Sequence, residues 1–205
     1  GSPWALVAPK VFTEYLWSCD DFYMNRFIAT FQRILRIIAL NLAFIVSSLY
    51  VAVVSYHSDA LPSAYMIAIA QARANVPFSA ILEVLFIELI GEIIRESLVR
   101  VPTKIGTAIG IVGAIIIGQA AVAAGVFSPL ILIVISLSLI SSFVPSDYTI
   151  MDPFRVLKYP LILATSMFGL YGFTLTIVFV LAQLVSINTF GAPYMAPLAP
   201  FNLKD

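Results

Sequence analysis

The sequence predicts an all-α, polytopic membrane protein with four to five transmembrane helices plus amphipathic or interfacial helices, and three observations predict it. Hydrophobic residues make up 61% of the 205 positions and charged residues 11%, against about 45–50% and about 25% in soluble domains. The mean hydropathy is +1.02. Several uncharged runs approach or exceed the roughly 20 residues that a helix needs to cross a hydrocarbon core about 30 Å thick. Eleven Lys and Arg balance eleven Asp and Glu, so no net charge points to nucleic acid or to an acidic surface. The composition excludes a soluble enzyme, a disordered tail and a basic nucleic-acid module.

The elements follow in chain order. Residues 1–33 are less apolar than the rest. From Asp20 to Arg33 aromatics, charges and alkyl groups alternate as in an amphipathic helix at the interface, and this entry segment runs into the first span. A membrane helical domain occupies 34–200. Its first span is 37–56, Ile37 to Tyr56, without a charge. Arg26, Arg33 and Arg36 flank one end and no Lys or Arg lies near the other, which places the N-terminal end in the cytoplasm. Ile105 to Ser146 is also uncharged, too long for one helix. Gly125 tolerates unusual dihedrals and Pro129 lacks a backbone donor, so the run divides into spans at about 105–124 and 129–144. Asp152 to Lys158 reads as a short cytoplasmic interfacial segment, and 161–185 is the last span. The chain opens Gly1-Ser2-Pro3 without Met, and 201–205 reads as the start of a truncated C-terminal segment, so we expect a piece of a longer protein.

Residues 61–104 carry the chemistry. Leu61 to Ala74 suits a short helix, Asn75-Val76-Pro77 interrupts, and Phe78 to Val99 makes a second helix whose crossing is open. Four of the five glutamates of the chain fall here: Glu83, Glu88, Glu92 and Glu96. At about 100° per residue, Glu88, Glu92, Arg95 and Glu96 share one face, while Glu83 lies about 140° from Glu88. One reading is a surface helix whose carboxylates are solvated or paired with Arg95 and Arg100. The other is an embedded helix with Glu88, Glu92, Arg95 and Glu96 as a polar face toward a pore or an interface, because carboxylates facing lipid cost several kcal/mol each. Acidic rings make pores prefer cations. If this helix crosses, Arg95, Arg100, Lys104, Arg155 and Lys158 all fall in the cytoplasm, and the charge rule favours five spans.

Small residues mark the third segment. Gly106 and Gly110 form a GxxxG pattern that Gly113 and Gly118 extend, and such stripes let helices approach closely in lipid. Gln119, Gln183 and Asn41 are single amides expected to bond between helices. Cys19 is the only cysteine and His57 the only histidine, so we expect no disulfide, metal site or cofactor. No paired-aspartate or Ser–His arrangement stands in the spans, so no catalytic residue is assigned and an enzyme is not expected. Prolines at 193, 197 and 200 forbid a regular helix near the end, and this apolar stretch should lie against protein or in the interface.

Several phrases together resemble a known family. They are Gly1 to Pro9; Asp21-Phe22-Tyr23 with Phe31 to Arg36; Val76-Pro77-Phe78; Glu88 with Glu92 to Glu96; Val101-Pro102; Ile111 to Ala114 through Gly118 to Val122; and Phe190 to Pro197. In this order they resemble the membrane region of the A subunit of GerA-type spore germinant receptors, or its SpoVAF-type paralogue encoded with the dipicolinate-release genes. The resemblance implies a soluble domain before this region, a further segment after it, and residence in the inner membrane of the dormant spore. It implies a transporter-like B subunit and a lipoprotein C subunit as partners, and homo-oligomers forming a nutrient-gated cation channel whose opening starts germination. Partners other than these and the lipid bilayer, nucleic acid included, are not expected. A secondary transporter and a non-conducting scaffold for a signalling complex remain the alternatives.

Overall fold

The computed structural model describes residues 8–100, 118–196, 198 and 199. Two short 3-10 turns, Phe12–Leu16 and Cys19–Phe22, precede the first helix. Asn25 then starts α1, Arg26–Ser55, its side-chain oxygen accepting the Phe27 N–H at 3.0 Å and satisfying one of the free amides of the first turn. The helix therefore begins within the entry segment and continues through the first apolar run, although residues 19–22 are 3-10 rather than α-helical. Asp21 ties the two parts together. Its buried carboxylate accepts from Arg36 Nη1 at 2.6 Å and Arg33 Nε at 3.3 Å. The Arg36 bond, aided by the Ser18 N–H and Arg33 and opposed by burial, holds the Asp21 carboxyl down to about 2.

After α1 come α2, Ser63–Arg73, and α3, Ala80–Arg100. Pro62 stands immediately before α2, and the interruption expected at Asn75-Val76-Pro77 separates the two helices. Most of the expected span 105–124, with Gly106, Gly110 and Gly113, lies outside the described residues; 118–123 is helical. Gly125 turns the chain at φ +68. Ser128 then caps α4, Pro129–Ser141, with its oxygen on the Ile131 N–H. Pro129 occupies the first helical position, where a missing N–H costs no helical bond.

The last helix, α5, covers Met151–Ser186 but is not straight. As one rod its 36 residues would be about 54 Å long. At Gly169 the backbone takes φ +62 and ψ −142, a region almost reserved for glycine, and the chain folds back. A methyl group on Gly172 would collide with the Ala164 carbonyl, so the two limbs touch just past the turn. Leu161 and Phe154 of the first limb share a cluster with Ile177, Val180 and Leu184 of the second. The single apolar run expected at 161–185 is thus divided by a glycine turn into limbs of about 27 Å or less.

Packing fixes the directions. Phe44 and Phe154 meet edge to face at 5.5 Å, and the Tyr56 hydroxyl donates to the Ser166 carbonyl, so α1 and the first limb of α5 run in parallel. Helices α3 and α4 run the other way, with Glu83 beside Ser128 and Arg95 beside Ser142. One apolar cluster joins α1 and both limbs of α5 to the 3-10 turn at Leu16; the other joins Val51, Val84, Ile131 and Ile162 from four helices. The C-terminal stretch forms a small hairpin, β1 (Asn188–Thr189) and β2 (Ala192–Pro193), through Phe190 and Gly191, both at positive φ. It packs on the entry segment, where the Phe12 N–H donates to the Tyr194 carbonyl at 2.8 Å.

The chain is mostly helical. Among the described residues α1 is long and apolar enough to cross a membrane, and α5 passes the same test of length and composition only when its two limbs are counted together; one of the four to five expected spans lies mostly outside the described residues. Helix α4 is apolar but has only 13 residues, about 20 Å, and α3 is interrupted by charge along its length.

Candidate functional site

The site is built on the inward face of α3. Glu92 follows Glu88 by four positions and Arg95 follows Glu92 by three, a spacing that stacks them on successive turns. The structure points Glu88, Glu92 and Arg95 at α4, α5 and α1. Glu88 is 4% exposed. Its Oε1 accepts from Ser47 of α1 at 2.5 Å and lies 2.5 Å from Lys158 Nζ of α5. The same ammonium donates to Ser138 Oγ of α4 at 2.6 Å, and Ser138 donates in turn to the Ala43 carbonyl of α1 at 2.9 Å. Four helices therefore meet at one ion pair.

One turn along, Arg155 of α5 clasps Glu92, its Nε donating to both carboxylate oxygens at 3.0 and 3.1 Å and its Nη2 reaching Oε2. Arg155 also donates to Asp152 at 3.1 Å. Arg95 lies 3.7 Å from Glu92, donates to Ser142 Oγ at 2.7 Å and stacks over the Phe143 ring at 5.0 Å. Three acids (Glu88, Glu92, Asp152) thus face three bases (Arg95, Arg155, Lys158). The free space among Glu88, Glu92, Arg95, Arg155 and Lys158 is about 10 Å³, at the lower limit for a single water and too small for a hydrated ion. In this conformation the ladder is closed.

Its depth is informative. Ser47 is the eleventh residue of the twenty-residue uncharged run 37–56, so the Glu88–Lys158 pair sits level with the middle of that run. Charges at that depth are tolerated when they pair with one another and face the bundle interior. Here both conditions are met.

Sequence reasoning placed Glu88, Glu92, Arg95 and Glu96 on one face. The structure brings the first three into the ladder, while Glu96 is exposed beyond it. Arg155 and Lys158 were expected in a cytoplasmic interfacial segment. They stand instead in the first two turns of α5 with Lys158 8% exposed, because the buried carboxylates of α3 need counter-charges. Ser47, Ser138 and Ser142 were missed altogether. The signal was available: embedded acids imply bases on a neighbouring helix, and Arg155 and Lys158, three apart, begin an otherwise apolar one.

The packing residues fare differently. A methyl on Gly118 would stand 3.9 Å from Leu132, ordinary contact across to α4. Gln119, Gln183 and Asn41 are exposed rather than buried between helices of this chain, and Asn41 donates to its own helix at the Ile37 carbonyl.

On the opposite face of α3, Glu83 is fully buried. Its Oε1 accepts the Ser128 N–H at 2.5 Å, at the amino end of α4 where the helix dipole favours an anion. Arg73 of α2 approaches its Oε2 at 3.3 Å. Among the described residues no group of His, Cys, Asp and Glu could hold a metal ion.

Comparison with known proteins agrees with the motif pattern. The family profile described as Bacillus/Clostridium GerA spore germination protein matches residues 1–205. The chain is 39% identical over 202 residues to spore germination protein KA of Bacillus subtilis (strain 168), covering 98% of this chain and 37% of that protein. It is 40% identical over 205 residues to spore germination protein GerLA of Bacillus cereus, covering 100% of this chain and 42% of that protein. An uncharacterized membrane protein of Bacillus subtilis, YfkQ, is 36% identical over 204 residues, with 100% and 40% covered. The chain thus spans about two-fifths of the length of these relatives. No solved structure matches it. With the match running from the first residue to the last, the chain belongs to the GerA spore germination protein family.

Proposed function

We propose that the chain is the membrane region of a germinant receptor A subunit in the inner membrane of the bacterial spore. Four to five of its helical segments cross the bilayer, and copies of it oligomerise into a nutrient-gated cation channel. The transporter-like B subunit and the lipoprotein C subunit are its partners, and the SpoVAF-type paralogue fits the same architecture. The observation that carries the reading is the neutral ladder of three acids and three bases, whose buried pair Glu88–Lys158 is level with the middle of the uncharged run 37–56. A buried ion pair adds little stability over an apolar pair of similar size, so charges placed at that depth argue for a conformational role. Closed, the ladder admits no ion; separation of α3 from α5 exposes Glu88 and Glu92 to a water-filled path, where carboxylates favour cations.

The test is potassium flux from liposomes holding the full-length protein, with the segments that flank this region restored, as wild type and as Glu92→Gln. Flux that falls in the variant supports an acidic conduction path. Assembled protein that shows no flux with its partners present removes the channel reading and favours the non-conducting scaffold. One observation speaks for that second reading: each of Glu83, Glu88 and Glu92 already has a basic partner within the chain. Saturable solute uptake without ion flux marks a secondary transporter instead.

A further inference from the structure

A second cavity lies away from the ladder, bounded by the entry segment, the first half of α1, both limbs of α5 and the chain after the hairpin. Its volume is about 250 Å³. Leu16, Leu40, Phe44 and Val180 are buried around it, and Phe154 is a wall of it on the first limb of α5. Phe154 borders two spaces, since it also lines the narrow one among Glu88, Glu92 and Arg155. Asn41 is the one polar side chain among the described lining residues, and its amide nitrogen already donates to the Ile37 carbonyl at 2.8 Å.

Water does not suit such a space, because a buried water needs about two to four polar partners. An empty void is costly as well, because its walls lose packing contacts in proportion to its volume. An apolar cavity of about 150 Å³ holds a benzene molecule, and at the same carbon density this one holds roughly ten carbons.

The position of the cavity says where those carbons come from. Ile37 to Ile45 line it along α1, a length of about 12 Å that begins directly after Arg36, inside the uncharged run. At that end Arg33 stacks over the exposed rings of Trp17 and Phe22, at 5.2 and 5.9 Å, and Arg26 is exposed. Aromatics and bases together mark the headgroup level of a bilayer. The cavity therefore lies at the acyl depth of the adjoining leaflet, half of a core about 30 Å thick. Ile37 of α1, Leu181 of the second limb of α5, and Leu198 form its rim, each about half exposed. It opens outward between α1 and that limb, onto hydrocarbon.

We propose that this cavity holds an acyl chain of a bilayer phospholipid. The headgroup stays at the level of Arg26 and Arg33, while the chain enters between Ile37 and Leu181 and lies against Leu40, Phe44 and Phe154. Phe154 then separates the chain from the ladder, and Arg155, the next residue, clasps Glu92. The lipid is thus packed behind the outer rung. The inference rests on the membrane residence proposed above and not on conduction.

The experiment uses the full-length protein in nanodiscs containing phosphatidylglycerol with a photoactivatable diazirine at mid-chain. After irradiation the labelled residues are mapped by mass spectrometry. Label is expected on the buried Leu40, Phe44 and Val180, besides the exposed Val178 and Phe179 that an embedded helix offers to lipid. Ile177→Trp fills the cavity and should cut the interior label about tenfold, since a close-packed interior has no spare volume, while label on Phe179 persists. Leu181→Trp blocks the rim without entering the core and should act in the same direction, so it decides the matter if Ile177→Trp fails to assemble. Label confined to exposed residues in the wild type overturns the proposal; a side chain of a second copy seated in the cavity would give that result. Interior label unchanged in the assembled Trp variants overturns it too, as does interior label from a diazirine-bearing free fatty acid but none from the phospholipid. If Val178 and Phe179 also stay unlabelled, the membrane residence falls, and this proposal with it.

Discussion

Glu83 and Glu88 stand five residues apart on the same helix, both buried, and they solve the problem of a buried charge in different ways. Glu88 meets a full cation: the Lys158 ammonium lies 2.5 Å from its carboxylate, and hydroxyls from α1 and α4 complete the shell. Glu83 meets a backbone: its closest partner is the Ser128 amide at the head of α4, and its cation, Arg73, stays at 3.3 Å. The first arrangement joins two side chains across α3 and α5 and comes apart if the helices separate. The second fixes a side chain to the main chain of α4 and travels with it. On one helix, then, the ladder is the breakable contact and the Glu83 cap is the fixed one.

The largest expected effect comes from breaking the first arrangement by halves. Lys158→Met leaves the Glu88 carboxylate buried without its counter-charge, which costs about 3–5 kcal/mol and should lower the thermal midpoint of the purified protein sharply. Glu88→Met added to it removes both charges, and the double variant should recover most of the loss, since apolar replacements of whole buried pairs are often neutral or stabilising by about 1–4 kcal/mol. A double variant no more stable than Lys158→Met would show that the pair is not the contact that matters.

How much of this was written in the sequence depends on what each residue signals locally. Pro62, Asn75-Val76-Pro77 and Gly125 to Pro129 mark boundaries because they act on their own backbone, and each falls at the edge of an element. The common face of Glu88, Glu92 and Arg95 follows from helical spacing alone. Gly169 was not legible as a turn, since a lone glycine in an apolar run serves equally well for packing; only the fold shows its positive φ and the contact of Gly172 with Ala164. Lys158 was misplaced for a related reason. A charge near the start of an apolar stretch reads as a water-facing anchor, and only the position of Glu88 on another helix draws it inward. Partnership across helices is a long-range property, and no local pattern encodes it.

A smaller effect is expected from the fixed contact. Glu83→Ala removes the acceptor of the Ser128 N–H at a helix start, and loss of such a cap costs about 0.5–2 kcal/mol. Glu83→Gln keeps an acceptor oxygen while giving up the charge, so it should lose less than Glu83→Ala in thermal unfolding. Equal losses in both variants would assign the stabilisation to the Arg73 charge rather than to the amide, and the contrast between the two faces of α3 would weaken.

The smallest effect on stability should come from the outer rung, which sharpens the comparison further. Glu92 and Arg155 are close, but their side chains remain 23% and 27% exposed. Water reaches both, and exposed or partly exposed pairs contribute about 0–1 kcal/mol. Glu92→Gln retains the shape of the side chain and one acceptor for Arg155, so thermal unfolding should shift by no more than that amount, far less than in Lys158→Met. Stability and flux then separate. If the outer rung is where helices α3 and α5 part, Glu92→Gln changes ion flux in protein that is as well assembled as the wild type. A loss of stability in Glu92→Gln matching that of Lys158→Met would mean that the two rungs act as one locked unit, and α3 and α5 would then have no weaker end from which to open.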